Sequence, residues 1–351
     1  MVVLNLSMDN YKNFNHIKIH TQYSICEGAL RINDLAEFCK KNKIKCVGLS
    51  DTTNLCGALE FSENLSKIGT QPIIGTQVNF KFADQIGLLP LIATSEESYK
   101  SIIEMSSNSY LKNDGMSEPH CNFKDLTAIS KDIIILSGTV NGLVGKLFDK
   151  GLFNEIEEIY KFLKKSINDN FYIEIQRHND HNEKLFEEFN LEISKKLDIP
   201  IIATNEVFYL DKEMYEAHDA LICIGNKTYI NEKNRLKYSN QHYLKSDEEM
   251  KEIFSDLPEA LENNYNLFYK CKFKPGSSKP VLPNISSDKG GDADQNFIDD
   301  SMTGLNEKFL KLFNIEEKNL LKNENYKKYK ARLDHEIKII IEMKYSSYFL
   351  I

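Results

Sequence analysis

The chain has 351 residues, 41% hydrophobic and 27% charged, a balance that fits one large or two ordinary globular domains and excludes wholesale disorder and collagen-like repeats. Lysine and arginine number 44 against 52 aspartates and glutamates, a net charge of −8, so a surface built mainly to grip a phosphate backbone is not written here. No apolar run reaches the roughly 18–20 residues that cross a bilayer, and the N-terminus lacks the basic stretch of a signal peptide. The seven cysteines are scattered and form no C-x-x-C, which points to buried thiols in a cytoplasmic chain with no membrane partner.

From residue 14 to residue 225 short apolar strands alternate with amphipathic helical patterns. Ile17–Thr21 predicts a strand ending at His20. Leu35, Phe38 and Cys39 predict a helix capped at Asn33 or Asp34. A strand at Cys46–Leu49, a helix at Leu55–Lys67 and a strand at Pro72–Phe80 follow. Leu88–Thr94 reads as another strand, with a helix opening at Ser95. Then come the strand Asp132–Ser137, two helical patterns through Ser166, the strand Phe171–Gln176, the helix His181–Leu197 and the strand Ile199–Ala203. Such alternation implies crossover units and a parallel sheet. About seven strands fit an α/β fold, a distorted, closed or nearly closed β/α barrel, better than a doubly wound sheet. No G-x-G-x-x-G follows the first strand.

The barrel is expected to fill residues 1–271. Lys274–Asp294, rich in Pro, Gly, Ser and Asp, reads as a linker. Residues 295–345 are helical in pattern and charge-rich, and the strand-like run Tyr348–Ile351 reads as a point inside a longer protein.

In a β/α barrel the working groups lie at the C-terminal strand ends. Here those ends carry His20 to Ser24, Ser50 to Asn54, Gly75 to Gln77, Ser137 and Gly138, Gln176 to His178 and Thr204 to Glu206. His20, Asp51, His178 and Glu206 could hold one ion weakly, but a tight cluster of two or three metals is under-supplied with bridging carboxylates. His120, His181, His218, His242 and His335 lack partners at ligand spacing and read as structural. Lys327, Lys328, Lys330 and Arg332 read as a solvated helix face.

The segments FNHIKIHTQYSICEGALRINDL, GLSDTTNLCGALEF and PIIGTQVNF resemble the N-terminal polymerase-and-histidinol-phosphatase (PHP) domain of bacterial DNA polymerase III alpha subunits. The resemblance continues in family order through YIEIQRHNDHNE, IPIIATNEVFYL and LDHEIKIIIEMKYSSYFLI. It implies a PHP domain over 1–271, and over 272–351 a linker and helical segment entering a polymerase palm whose catalytic aspartates lie further on. No catalytic residue is then expected in this chain.

Metal-bearing members of the family carry H-x-H where this chain has Lys18-Ile19-His20, and Asp-His where it has Asp51-Thr52. Gln77 replaces a glutamate, and Glu206-Val207-Phe208 replaces Asp-x-His. The degenerate pocket of Lys18, His20, Asp51, Thr52, Gln77, His178, Glu206 and Phe208 therefore implies a structural domain with no metal of its own. In the vacated space the Lys18 ammonium is expected near Asp51 or Glu206. The resemblance further implies docking of the epsilon proofreading exonuclease and of other holoenzyme subunits. The full enzyme would be a DNA-directed DNA polymerase that uses Mg²⁺ on primer-template DNA. The alternative is a PHP-type metal-dependent phosphoesterase or 3′–5′ exonuclease.

Overall fold

The computed structural model describes residues 13–113, 115–129, 131–278, 292–313 and 315–351, so most of the expected linker (279–291) lies outside the described residues. The chain divides into two compact units, residues 1–277 and 278–351.

The first unit runs β1 (His16–Ile19), α1 (Ile32–Asn42), β2 (Cys46–Thr52), α2 (Ala58–Lys67), β3 (Gln71–Phe82), β4 (Gln85–Ile92), α3 (Glu96–Leu111), β5 (Cys121–Asn122) and β6 (Ile134–Leu136). It continues with α4 (Leu143–Asp149), α5 (Phe153–Ile167), β7 (Phe171–Ile175), α6 (Glu183–Leu197), β8 (Ile201–Ala203), β9 (Glu206–Val207), α7 (Tyr215–Asn226), α8 (Asp247–Ile253) and α9 (Pro258–Lys270). The strands form one sheet in the order β8-β7-β6-β4-β3-β2-β1-β9, with β5 added on β3. Its two ends, β8 and β9, are separated only by Thr204 and Asn205. Three Cα–Cα steps span at most about 11 Å, so the sheet has to curl until its ends approach.

Two features of the sheet differ from the sequence reading. The sheet has nine strands rather than about seven, the extra ones being the two-residue β5 and β9, too short to show periodicity. It is also mixed, because β4 runs antiparallel to both β3 and β6. β3 extends to Phe82 and turns through Ala83 (φ +49°) and Asp84 straight into β4. This is a two-residue hairpin whose turn lacks the usual Asn-Gly or Asp-Gly signal.

Alternation along the strands divides the interior into layers. On β7, Phe171, Ile173 and Ile175 face a core shared with Ile156, Ile159, Leu163 and Phe186 of the outer helices. Tyr172 instead joins Ile73, Ile134, Leu136 and Ile202 in a cluster closed by Leu267, Phe268 and Cys271 at the end of α9. Residues 272–275 stay with this unit: Phe273 packs on Tyr99 at 5.1 Å between centroids, and Ser62 donates to the Pro275 carbonyl at 2.8 Å.

α1 begins at Ile32 with Arg31 in the cap position, not at Asn33 or Asp34. The side chain of Gln22 accepts the Ile32 N–H at 3.0 Å and supplies the cap from ten residues upstream.

The second unit comprises α10 (Ala293–Leu312), α11 (Glu324–Glu342) and α12 (Ser346–Phe349), with a small core of Phe309, Leu320 and Tyr326. α12 stands where the sequence suggested a strand. Lys344 (φ +60°) ends α11, and the Tyr345 N–H returns to the Ile340 carbonyl, which starts a further helical turn. Along α11, Lys327, Lys330 and Arg332 pair with Glu324, Asp334 and Glu336 at 2.7 Å each, a solvated face of local ion pairs.

Candidate functional site

The sheet brings the C-terminal ends of β1, β2, β7 and β9 to one rim beside the middle of β3, where Gln77 pairs with Thr52 and the strand runs on to Phe82 rather than ending as expected, and all eight residues singled out in the sequence meet there. Parallel pairing of β1 with β9 sets Lys18 opposite Glu206. Alternation carries the Lys18 side chain into the barrel, where it is fully buried. Its Nζ lies 3.1 Å from Glu174 Oε1 and 3.2 Å from Glu206 Oε1, at ion-pair distance but aligned for a hydrogen bond with neither.

Burial works against the ammonium, yet the charges of Glu174 and Glu206 outweigh it and hold the Lys18 pKa above its usual value. Burial likewise penalises the Glu206 carboxylate, and Lys18 with His20 more than compensates, leaving its pKa well below the usual range. Of the two expected partners, Glu206 is therefore engaged and Asp51 is not. Asp51 is turned to the rim loop, accepting from the Thr21 N–H at 2.6 Å, Thr21 Oγ1 at 2.7 Å and Ser24 Oγ at 2.7 Å.

His20 sits beside the ion pair with Nε2 3.0 Å from Glu206 Oε1. Gln77 Nε2 donates to the same oxygen at 2.6 Å. Burial opposes protonation of His20, but the Glu206 hydrogen bond and the charge of Glu27 raise its pKa. Thr52 donates to Glu27 and lies 3.5 Å from His20 Nδ1. Ser24 Oγ, His20 and Glu206 line up as a nucleophile, base and acid would, with Ser24 3.3 Å from His20 Nδ1. That serine is buried and donates its proton to Asp51 rather than to the imidazole, so it presents no nucleophile to solvent.

His178 is likewise committed. Its Nε2 faces Asn205 Oδ1 at 3.0 Å, its backbone N–H donates to Glu183 at 2.7 Å, and its ring stacks on His242 at 4.1 Å. Burial and the neighbouring His242 and Lys245 push its pKa far down, which keeps the ring neutral.

Phe208 closes the rim. Its ring lies 4.5 Å from His20, 4.8 Å from Tyr238 and 5.3 Å from both His218 and His242. His218 and His242, unremarkable in sequence, are thus part of the site's wall. Gly28 lets the rim loop cross close above, since a Cβ there would stand 2.2 Å from the Thr21 carbonyl oxygen. Glu174 is a pocket residue that the sequence did not single out. It accepts from Gln176 at 2.8 Å and from Thr204, while its Oε2 is buried without a protein donor.

This donor set does not fit a metal ion. A protonated lysine cannot ligate, and here it lies at ion-pair distance from the two carboxylates that face the barrel interior. Among the described residues no group of three or more His, Cys, Asp or Glu is arranged to hold a cation. A pH dependence follows. Because the folded Glu206 pKa is depressed, its stabilising contribution is present above the usual carboxylate pKa of 4.5 and is lost as pH falls below it. Because the Lys18 pKa is raised, its share persists below 10.5 and is lost as pH rises beyond it. Glu206→Gln is expected to cost about 3 kcal/mol at neutral pH. The gap to the parent should narrow in acid, read from melting temperature against pH.

A family model described as the PHP domain matches residues 16–178, the stretch that carries β1 to β7. A second, described as the bacterial DNA polymerase III alpha NTPase domain, matches residues 297–351. Over nearly all of its length the chain is similar to DNA polymerase III alpha subunits. The subunit from Rickettsia conorii is 36% identical over 346 residues, covering 96% of this chain and 29% of the relative. That from Caulobacter vibrioides is 30% identical, covering 97% and 30%. That from Haemophilus influenzae is 31% identical, covering 98% and 30%. The chain thus spans about three tenths of the length of these relatives. A solved structure from Bifidobacterium adolescentis, provisionally named a metal-dependent phosphoesterase, aligns over 55% of this chain and 86% of that one. Its identity is 15% and its TM-score 0.32, a likeness too slight to bear on function.

Proposed function

We propose that this chain is the PHP-bearing region of a replicative DNA polymerase subunit, and that its pocket is a structural element rather than a hydrolytic centre. The full enzyme would be a DNA-directed DNA polymerase that extends a primer-template with dNTPs, with Mg²⁺ held by carboxylates outside this chain. Within it, residues 1–271 would form the PHP scaffold that docks the epsilon proofreading exonuclease among the holoenzyme subunits. Residues 272–351 would lead into the palm. The observation that carries the reading is the buried Lys18 ammonium between Glu174 and Glu206, a fixed charge where a metal-dependent phosphoesterase needs an exchangeable cation.

The test has two arms. The purified chain should co-elute with the epsilon exonuclease. Alone, it should leave single-stranded 3′ ends intact in Mn²⁺, Zn²⁺ or Mg²⁺. Metal-stimulated hydrolysis that disappears in Glu206→Gln would replace this reading with the phosphoesterase one. Failure to co-elute would remove the docking role.

A further inference from the structure

The opposite end of the barrel carries a second feature that the pocket does not explain. Residues just before β6 and β7, the end of α5, the turn from β4 into α3 and the end of α9 surround a cleft of about 790 Å³. That volume lies within the range of sites for small ligands. Its lining includes Lys131, Lys165, Lys270 and Lys272 against two carboxylates, Asp132 and Asp169, an inversion of sign on a chain of net charge −8.

The four lysines are not equivalent. Lys270 is fixed, its Nζ donating to the Asp169 carbonyl at 2.8 Å, Asn170 Oδ1 at 3.2 Å and Tyr172 Oη at 2.8 Å. Lys131, Lys165 and Lys272 are exposed, and among the described residues none of their ammonium groups makes an ion pair. Three unpaired cations around one concavity concentrate positive potential there. Tyr269 lines the same cleft with half of its surface exposed, a ring face on which a planar group can stack.

We propose that this cleft binds phosphate groups carried by a nucleotide or by a single nucleic-acid strand. Lys131, Lys165 and Lys272 are the phosphate contacts and Tyr269 the base-stacking face. The inference is independent of the rim pocket and of the scaffold role assigned to it.

The probe is a short fluorescent oligothymidylate, titrated with the 351-residue chain at low salt and followed by anisotropy. With three phosphate contacts, the logarithm of the binding constant should fall with the logarithm of salt at a slope of about −2. The combined variant Lys131→Gln, Lys165→Gln, Lys272→Gln should bind at least about tenfold more weakly and flatten that slope. Its melting temperature should match the parent's, since all three side chains are exposed. Tyr269→Leu should weaken the oligonucleotide but leave inorganic tripolyphosphate unaffected. Tripolyphosphate that displaces the probe as well as unlabelled strand does assigns the site to free phosphate compounds. Displacement by the strand alone assigns it to nucleic acid. A parent chain that does not bind at low salt, or a triple variant that binds as the parent does, would overturn the proposal.

Discussion

Lys18→Met should lower stability by about 3–5 kcal/mol, because the carboxylates of Glu174 and Glu206 would be left buried without their countercharge. In a domain of this size that is a drop in melting temperature on the order of 10 °C. Methionine keeps most of the apolar stem, so the loss would report charge rather than packing. Snorkelling to solvent is not open to this side chain, which is fully buried. Adding Glu174→Gln and Glu206→Gln to Lys18→Met should recover part of the loss, since a neutral buried cluster needs no counterion. The checking measurement is chemical unfolding of the parent, the single variant and the triple variant. A single variant within about 1 kcal/mol of the parent would mean that the pair contributes little.

Phe208→Ala is the second large effect, at about 3–5 kcal/mol. The ring is 1% exposed and is surrounded by His20, His218, Tyr238 and His242, so truncation opens a hole lined by three imidazoles and a phenol. The effect should appear as a lower denaturant midpoint with an unchanged slope. A loss well under 1 kcal/mol would show that the rim collapses around the gap and that Phe208 is not its keystone.

The rim was legible because strand ends declare themselves. In β1 and β2 an apolar run stops at His20 and Asp51, and in a β/α barrel such stops fall on one face, whereas Gln77 lies inside β3, which continues to Phe82. Glu174 was not legible for the converse reason. It lies inside the run Phe171–Ile175, where one polar residue among β-formers reads as an interior position, and only the curl of the sheet turns it toward Lys18. His218 and His242 were passed over because their partners are aromatic and distant in sequence, and no ligand spacing marks them. The hairpin of β3 and β4 escaped because Ala83-Asp84 carries no recognisable turn signal. The cap of α1 escaped because Gln22 reaches it through the tertiary fold. In each case local pattern located the element, and a contact made only in the folded chain determined its role.

The Lys18 ammonium occupies the pocket interior between Glu174 and Glu206, and metal content tests most directly whether that place is closed to an ion. The purified chain would be incubated with excess Mn²⁺ and Zn²⁺, desalted without chelator, and its bound metal measured by elemental analysis beside its melting temperature. The expected result is well under one ion per chain and a melting temperature indifferent to loading or to later chelator. A full equivalent of metal surviving desalting, with stability that falls when chelator removes it, would contradict the account. It would mean that Lys18 yields its place to an ion.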